Sequence, residues 1–186
     1  MKNIYLKQKN IYLHQNKKAG SSFIKKFNNA SDKFIKEEYS DLDEEKEINY
    51  PNGDRYKGEF KDGKRHGKGT MFYKNGDRYE GEWENDKKNG QGTYFYNNGE
   101  KYNGSWVNGL IDGKGTYFYK NKKRKYDGYW KEGKKNGQGT CFYENGKIKY
   151  KGNLKDNLPN GSGISNYSNG KLKYDGNWEN GHTTSS

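Results

Sequence analysis

The feature that most limits what this chain can become is a tandem repeat. Tyrosines 56, 79, 102, 126, 150 and 174 each open a similar segment, with a spacing of 23 residues twice and then 24 three times. Such a period predicts a linear array in which each unit buries its surface against the next one, because a single unit has too little apolar surface to fold alone. The clearest unit is Tyr79 to Lys101, YEGEWENDKKNGQGTYFYNNGEK.

Each unit reads as a β-hairpin. In Tyr79-Glu80-Gly81-Glu82-Trp83 the residues alternate as in a strand, Asn85 to Asn89 reads as a turn, and Gly90-Gln91-Gly92-Thr93-Tyr94-Phe95-Tyr96 reads as the returning strand. Asn98-Gly99 closes the unit, as Asn75-Gly76, Asn145-Gly146 and Asn169-Gly170 do elsewhere, and Asn-Gly between alternating segments is a strong hairpin signal. The expected fold class is therefore all-β, an elongated single-layer antiparallel meander. Alternation puts Tyr79, Gly81 and Trp83 on one face, with Gly90, Gly92, Tyr94 and Tyr96 sharing a face of the partner strand. Aromatic rings lying over strand glycines can then replace a conventional core.

Composition matters at this point. An apolar fraction of 27% beside a charged fraction of 32% leans toward disorder. The 18 tyrosines and the 26 glycines at fixed repeat positions argue the other way. The single Cys141 rules out an internal disulfide framework, and no Cys/His spacing suits zinc, so an intracellular location is the simplest expectation. No run of 18 apolar residues is present and the N-terminus lacks a secretory apolar region, so neither membrane spanning nor export is expected.

Residues 1 to 47 lack the repeat. They open with a short duplication, KNIYLKQ then KNIYLHQ, whose Ile-Tyr-Leu triplets fall on one helical face, and change from basic to acidic near Asp32. A second helix is expected from Ser31, a candidate N-cap, to Lys46. The segment is either a basic amphipathic element for anionic lipid or a partner, or a disordered tail. Position 2 is not glycine, so the myristoylation pattern is absent. The array is expected over residues 48 to 182, beginning with a partial unit, and residues 183 to 186 are read as a disordered end.

These segments resemble the MORN (membrane occupation and recognition nexus) repeat, close to YxGxWxxGxxxGxGxxxxxxG. The residues that carry the resemblance are Tyr56, Gly58 and Phe60; Tyr79, Gly81 and Trp83; Tyr102, Gly104 and Trp106; Tyr126, Gly128 and Trp130; Tyr150 and Gly152; and Tyr174, Gly176 and Trp178. The Gly-x-Gly pairs are Gly67/Gly69, Gly90/Gly92, Gly113/Gly115, Gly137/Gly139 and Gly161/Gly163. The fifth unit has Leu154 in place of tryptophan and Leu158-Pro159 in its loop, and is expected to be weak or kinked. The sixth is expected to stop after its first strand, leaving an edge open to pairing or homo-oligomerisation. The resemblance implies a scaffold without an active site or cofactor. Its members serve membrane-proximal cytoskeleton, ciliary spokes and membrane junctions, or accompany lipid kinases and lysine methyltransferases, and phosphoinositide binding is attributed to them.

Two residue sets are candidates for contact. Thr70, Thr93, Thr116 and Thr140, with Phe72, Phe95, Phe118 and Phe142 two residues later, form a stripe on the face away from the tyrosines. That stripe is either a surface for protein partners, cytoskeletal or membrane-associated, or one covered by the rest of the chain. The second set is basic: Lys64, Arg65, Lys87, Lys88, Lys134 and Lys135 along one sheet edge, and Lys122, Lys123 and Arg124 on the other. With a net charge of +12, these contact an anionic phospholipid surface or an acidic protein, or are solvated turns. Nucleic acid is disfavoured, since packing accounts for the aromatics. Enzymatic chemistry finds no support: Gly-x-Gly never opens a helix, His14, His66 and His182 are isolated, and Cys141 takes a packing position held elsewhere by Met71, Tyr94 and Tyr117. The functional expectation is a non-catalytic protein-binding scaffold. The alternatives are a peripheral lipid-binding module and an axonemal or ciliary component. The location expected is cytoplasmic, at the cytoskeleton, a cilium or the inner face of a membrane.

Overall fold

The computed structural model describes residues 44 to 184. They form one antiparallel sheet of thirteen strands in sequence order: β1 (Glu44–Asn49), β2 (Arg55–Lys61), β3 (Lys64–Phe72), β4 (Arg78–Glu84), β5 (Lys87–Phe95), β6 (Lys101–Val107), β7 (Leu110–Phe118), β8 (Arg124–Lys131), β9 (Lys134–Phe142), β10 (Ile148–Lys155), β11 (Leu158–Asn166), β12 (Leu172–Glu179) and β13 (His182–Thr183). This is the expected all-β meander. The N-terminal helix was expected to reach Lys46, whereas Glu44 to Lys46 pair in β1 with Phe60, Glu59 and Gly58 of β2. Pairing with an existing edge has overridden the helical reading of an acidic stretch. The remainder of that expectation, with the residues 1 to 43 on which it falls, lies outside the described residues.

Two kinds of turn alternate along the array. The first is a two-residue turn with both residues at positive φ, as at Asn85-Asp86 (φ 48 and 68) and Asn108-Gly109 (φ 51 and 90). Asn, Asp and Gly tolerate this conformation, which matches the twist of the flanking strands. The tight turn thus lies between Trp83 and Lys87, and Lys87 and Lys88 belong to β5, where a longer loop was expected. The Asn-Gly dipeptides that close the units, Asn75-Gly76, Asn98-Gly99, Asn145-Gly146 and Asn169-Gly170, sit in the wider connection. There Gly76 N–H donates to Tyr73 O at 2.9 Å and Tyr73 N–H donates to Asp77 O at 3.0 Å.

The centre of the sheet is a row of glycines. From Gly58 through Gly69, Gly81, Gly92, Gly104, Gly115, Gly128, Gly139, Gly152 and Gly163 to Gly176, each is the cross-strand partner of the next, one on every strand from β2 to β12. Tyrosine rings lie on this row. A Cβ placed on Gly92 would be 2.3 Å from the Tyr79 hydroxyl, so no other residue fits without displacing the ring. Tyr56, Tyr79, Tyr102 and Tyr126 are fully buried in this way.

Their hydroxyls are satisfied by a local irregularity. Between Gly81 and Trp83 the pairing with β5 slips, so that Gly81 faces Gly92 but Trp83 faces Lys88. Tyr79 Oη donates to the Glu82 carbonyl at this bulge, at 3.0 Å, and Tyr102, Tyr126 and Tyr150 donate to the carbonyls of Ser105, Tyr129 and Asn153. Trp83, Trp106, Trp130 and Trp178 donate their indole N–H to the carbonyls of Gly69, Gly92, Gly115 and Gly163. Tyr79 and Tyr102 each meet the tryptophan of their own unit edge-on and also that of the following unit: Tyr79 lies 5.2 Å from both Trp83 and Trp106.

The fifth unit is not kinked. Leu154 is buried at the tryptophan position, Gly152 still faces Gly163, and the bulge falls in the same place. Pro159 is tolerated because it sits beside this bulge, where the ladder is already interrupted. The sixth unit goes further than expected. Its tight turn at Asn180-Gly181 starts the two-residue strand β13 against Trp178 and Glu179.

Candidate functional site

The two faces of the sheet carry different chemistry. On the face away from the tyrosines, Thr70, Thr93, Thr116 and Thr140 are cross-strand partners of Glu80, Asn103, Asp127 and Lys151, among others. Asn103 donates to Thr93 Oγ1 at 2.7 Å, and Thr116 donates to Asp127 at 3.3 Å. The phenylalanines of this stripe are not bare. Arg55, Arg78, Lys101 and Arg124 lie over Phe72, Phe95, Phe118 and Phe142 at 4.0, 4.3, 4.6 and 4.6 Å. Phe142 is buried and the other three are half-buried. A partner would meet rings capped by cations, where a bare apolar stripe was expected.

The basic residues singled out from the sequence separate into two groups. Lys64, Lys87 and Lys134 are exposed at the outer ends of their strands. Arg65, Lys88 and Lys135 are the next residues along, and the strand alternation turns them over the aromatic face. Arg65 lies 4.6 Å over Trp83 and pairs with Asp86 at 3.1 Å. Lys88 lies 4.2 Å over Trp106 and 4.7 Å over Tyr94. Burial disfavours its charge and lowers its pKa from 10.5 to about 8, against a weaker opposing pull from Asp77. Ile111 occupies the same position in the third unit and packs against the core. The row is thus an inner wall in which aliphatic and cationic side chains substitute for one another. On the opposite edge, Lys122 adopts a positive φ of 66 where other units hold glycine, Lys123 donates to the Asn145 carbonyl at 3.0 Å, and Arg124 pairs with Asp127 at 3.2 Å.

A second change of side could not be read from the basic clusters alone. In the connections leading to Tyr56, Tyr79 and Tyr102, the residue before the tyrosine is an arginine or lysine that pairs regularly and lies on the phenylalanine face. The 24-residue units carry one more residue there, and the pairing slips around it. Tyr117 faces Tyr126 while Phe118 faces Arg124, leaving Lys125 as a bulge, and Lys149 and Lys173 are bulged in the same way. The added lysine turns to the tyrosine face: Lys125 lies 5.2 Å from both Tyr117 and Tyr119, Lys149 lies 5.7 Å over Tyr143, and Lys173 lies 5.8 Å over Tyr167. The signal for it was the lengthening of the period from 23 to 24.

The fourth and fifth units lose rings in the middle row. The row Met71, Tyr94, Tyr117 continues as Cys141 and Ser165, both small. A cavity of about 260 Å³ opens in the face there, lined by Cys141, Tyr119, Leu154, Lys125, Lys135 and Lys149, among others. Among the described residues, His66 and His182 join no group of His, Cys, Asp and Glu that could hold a metal. No helix among them is long and apolar enough to cross a membrane.

The repeated geometry is matched by a known family model. The MORN repeat model matches residues 56–78, 79–101, 102–124, 126–148 and 150–171, well over half of the chain. The chain belongs to the MORN repeat family. The matches start at five of the tyrosines whose rings cover the glycine row, so the MORN signature is the written form of that packing. No curated protein matches the chain. MORN repeats are a non-catalytic class, generally associated with protein or membrane interactions.

Proposed function

We propose that this MORN protein is a non-catalytic scaffold that binds protein partners at cytoskeletal or membrane-proximal assemblies. The observation that supports the reading is the phenylalanine face. Four rings, each under a cation and each beside a threonine, recur in register at Phe72, Phe95, Phe118 and Phe142. Aromatic and arginine side chains are the residue types that concentrate binding energy at protein interfaces. An array of them, repeated every second strand, suits an extended partner better than a small ligand. The test is to tag the full chain, locate it in its own cells and identify what co-purifies with it. Recruitment to a discrete structure, lost on substituting Phe95 and Phe118 by serine together, is the expected result. A diffuse signal with no stoichiometric partner overturns the reading.

A second reading, peripheral binding to anionic phospholipid, is favoured by Lys64, Lys87 and Lys134, which are exposed at equivalent strand ends. Equivalent strand ends in successive units lie roughly 10 Å apart, a spacing that suits a charged surface. Co-sedimentation with vesicles containing phosphatidylserine, at low and high salt, tests it. Pelleting no better than with neutral vesicles sinks it.

A further inference from the structure

The cavity at Cys141 belongs to neither surface discussed above. It lies on the tyrosine face, where the fourth unit differs from the second in two ways at once. The ring position of the middle row is held by a thiol, which opens the space, and the inserted lysine of the unit is turned toward it. In the second and third units the same position holds Tyr94 and Tyr117, whose hydroxyls donate to Asp77 and Glu100 at 2.8 and 3.1 Å. There the face is filled and its polar partners are acids. At Cys141 it is open, and its charged groups are ammoniums.

Three of these ammoniums matter. Lys125 is already paired, with Glu100 at 2.6 Å. Lys135 lies 5.1 Å over Tyr126 and Lys149 lies 5.7 Å over Tyr143, and among the described residues neither forms an ion pair. Both line the cavity beside the Cys141 thiol, whose pKa burial raises against the opposing pull of the two ammoniums. No acidic side chain lines the cavity, and its remaining walls include Leu154 and Pro159, which are apolar. A cavity with apolar walls and two cations lacking counter-charges complements a carboxylate carried among apolar groups.

We propose that this cavity is a docking site for an acidic segment of a protein partner, in which a Glu or Asp side chain enters between Lys135 and Lys149 and neighbouring apolar side chains cover Leu154 and Tyr119. The site deepens the scaffold reading and rests on it. A bilayer is the poorer occupant, because Lys135 is half-buried and both ammoniums lie back over rings of the sheet, whereas Lys64, Lys87 and Lys134 project from its edge.

Cys141 is the only cysteine of the chain, so its modification reports on the cavity alone. The probe is a fluorescein-labelled peptide of alternating glutamate and leucine, compared with a glutamine and leucine peptide and with phosphatidylserine vesicles, all against the full chain. The glutamate peptide is expected to bind about tenfold tighter than the glutamine one and to slow maleimide modification of Cys141 in proportion to occupancy. Lys135→Gln and Lys149→Glu should each weaken it by about tenfold, and Lys87→Gln should leave it unchanged. Cys141→Tyr restores the side chain of the second and third units; it should keep the melting temperature and abolish binding. If that variant does not fold, the two lysine variants decide. Equal affinity for both peptides, or binding indifferent to Lys135→Gln and Lys149→Glu, overturns the site. Protection of Cys141 by the vesicles and not by the peptide would assign the cavity to lipid instead and overturn it equally. A partner that binds only through the phenylalanine face would overturn this site and leave the scaffold reading standing.

Discussion

The earlier and the later units of the array share one backbone plan and use it for opposite ends. In the first, the ring chain is unbroken: Tyr56, Trp83, Tyr79, Trp106, Tyr102 and Trp130 meet edge-on in succession. The residues after the Asn-Gly turns are acids, and Asp77 collects hydrogen bonds from Tyr94, Asn75 and the Asn97 N–H. Burial alone would raise its pKa, and these donors together hold it below the usual carboxylate value. In the later units the ring chain breaks at Leu154, the middle row shrinks to Cys141 and Ser165, and lysines 123, 147 and 171 replace the turn acids. One part is packed for cohesion and the other is opened and made basic. A repeat array can differentiate along its length without altering its strands, because each unit answers only to its neighbours.

The largest effect should be common to both parts. Gly92→Ala and Gly163→Ala each force a Cβ to within 2.3 and 2.2 Å of a tyrosine hydroxyl, so both should cost about 3 kcal/mol or more in denaturant unfolding. A mild effect at Gly163 alone would show that the opened part no longer relies on the glycine row.

The next comparison separates the two. Trp106→Ala removes a buried ring with an indole hydrogen bond and should cost about 3–5 kcal/mol, whereas Leu154→Ala should cost about 2–3 kcal/mol. Leu154→Trp, by analogy with Trp130, would offer an indole to the Gly139 carbonyl and close part of the cavity. Equal costs for the two alanine variants would break the contrast between the two parts.

A smaller effect is pH-dependent. Lys88 has its pKa lowered by burial from 10.5 to about 8, so between those values the unfolded chain holds a proton that the folded one has released. Stability from this group therefore rises with pH over that window, and below it Lys88 carries the full cost of its buried charge. Lys88→Ile, the residue found at Ile111, should stabilise the protein by on the order of 1 kcal/mol near neutral pH, with the gain shrinking as pH rises. The cation–ring contact with Trp106 offsets part of the cost, which limits the gain. Measurement should stay below about pH 10, where unfolded tyrosines begin to ionise and the buried ones, with raised pKa values, do not. A gain that does not shrink would mean that Lys88 stays charged throughout.

The smallest effect tests the unit where the period lengthens. Lys122 adopts the left-handed conformation that glycine holds in the equivalent turns, and Lys122→Gly should stabilise by up to about 1 kcal/mol in thermal unfolding. Destabilisation would show that the Lys122 side chain contributes more than its backbone costs.

Much of this was legible in the residues. Alternation and the Tyr-x-Gly pattern are sufficient to place the strands, the aromatic face over glycine and the phenylalanine stripe behind it. The tight turns were assigned to the wrong end of the hairpin because Asn-Gly suits both a two-residue turn and a wider one with glycine at its close. Lys88 read as a loop lysine since nothing local marks the bulge that brings it opposite Trp83. Glu44 to Lys46 read as helix because their strand character comes from β2 and not from themselves. The bulged lysines were written in the sequence as a period one residue longer, but only the pairing of Tyr117 with Tyr126 shows that the extra residue changes face.

The strictly sequential strand order has a consequence for how such a protein changes over time. Among the described strands no last one returns to the first, so nothing in the sheet checks how many units it contains. An in-frame duplication or loss of one unit would alter neither the register nor the rings of any unit beyond the junction. For an ordinary closed core, the same event would be ruinous. Here length is a heritable variable with few structural penalties, and a lineage can try new lengths, or specialise one unit as Cys141 has specialised the fourth, while the others go on folding as before.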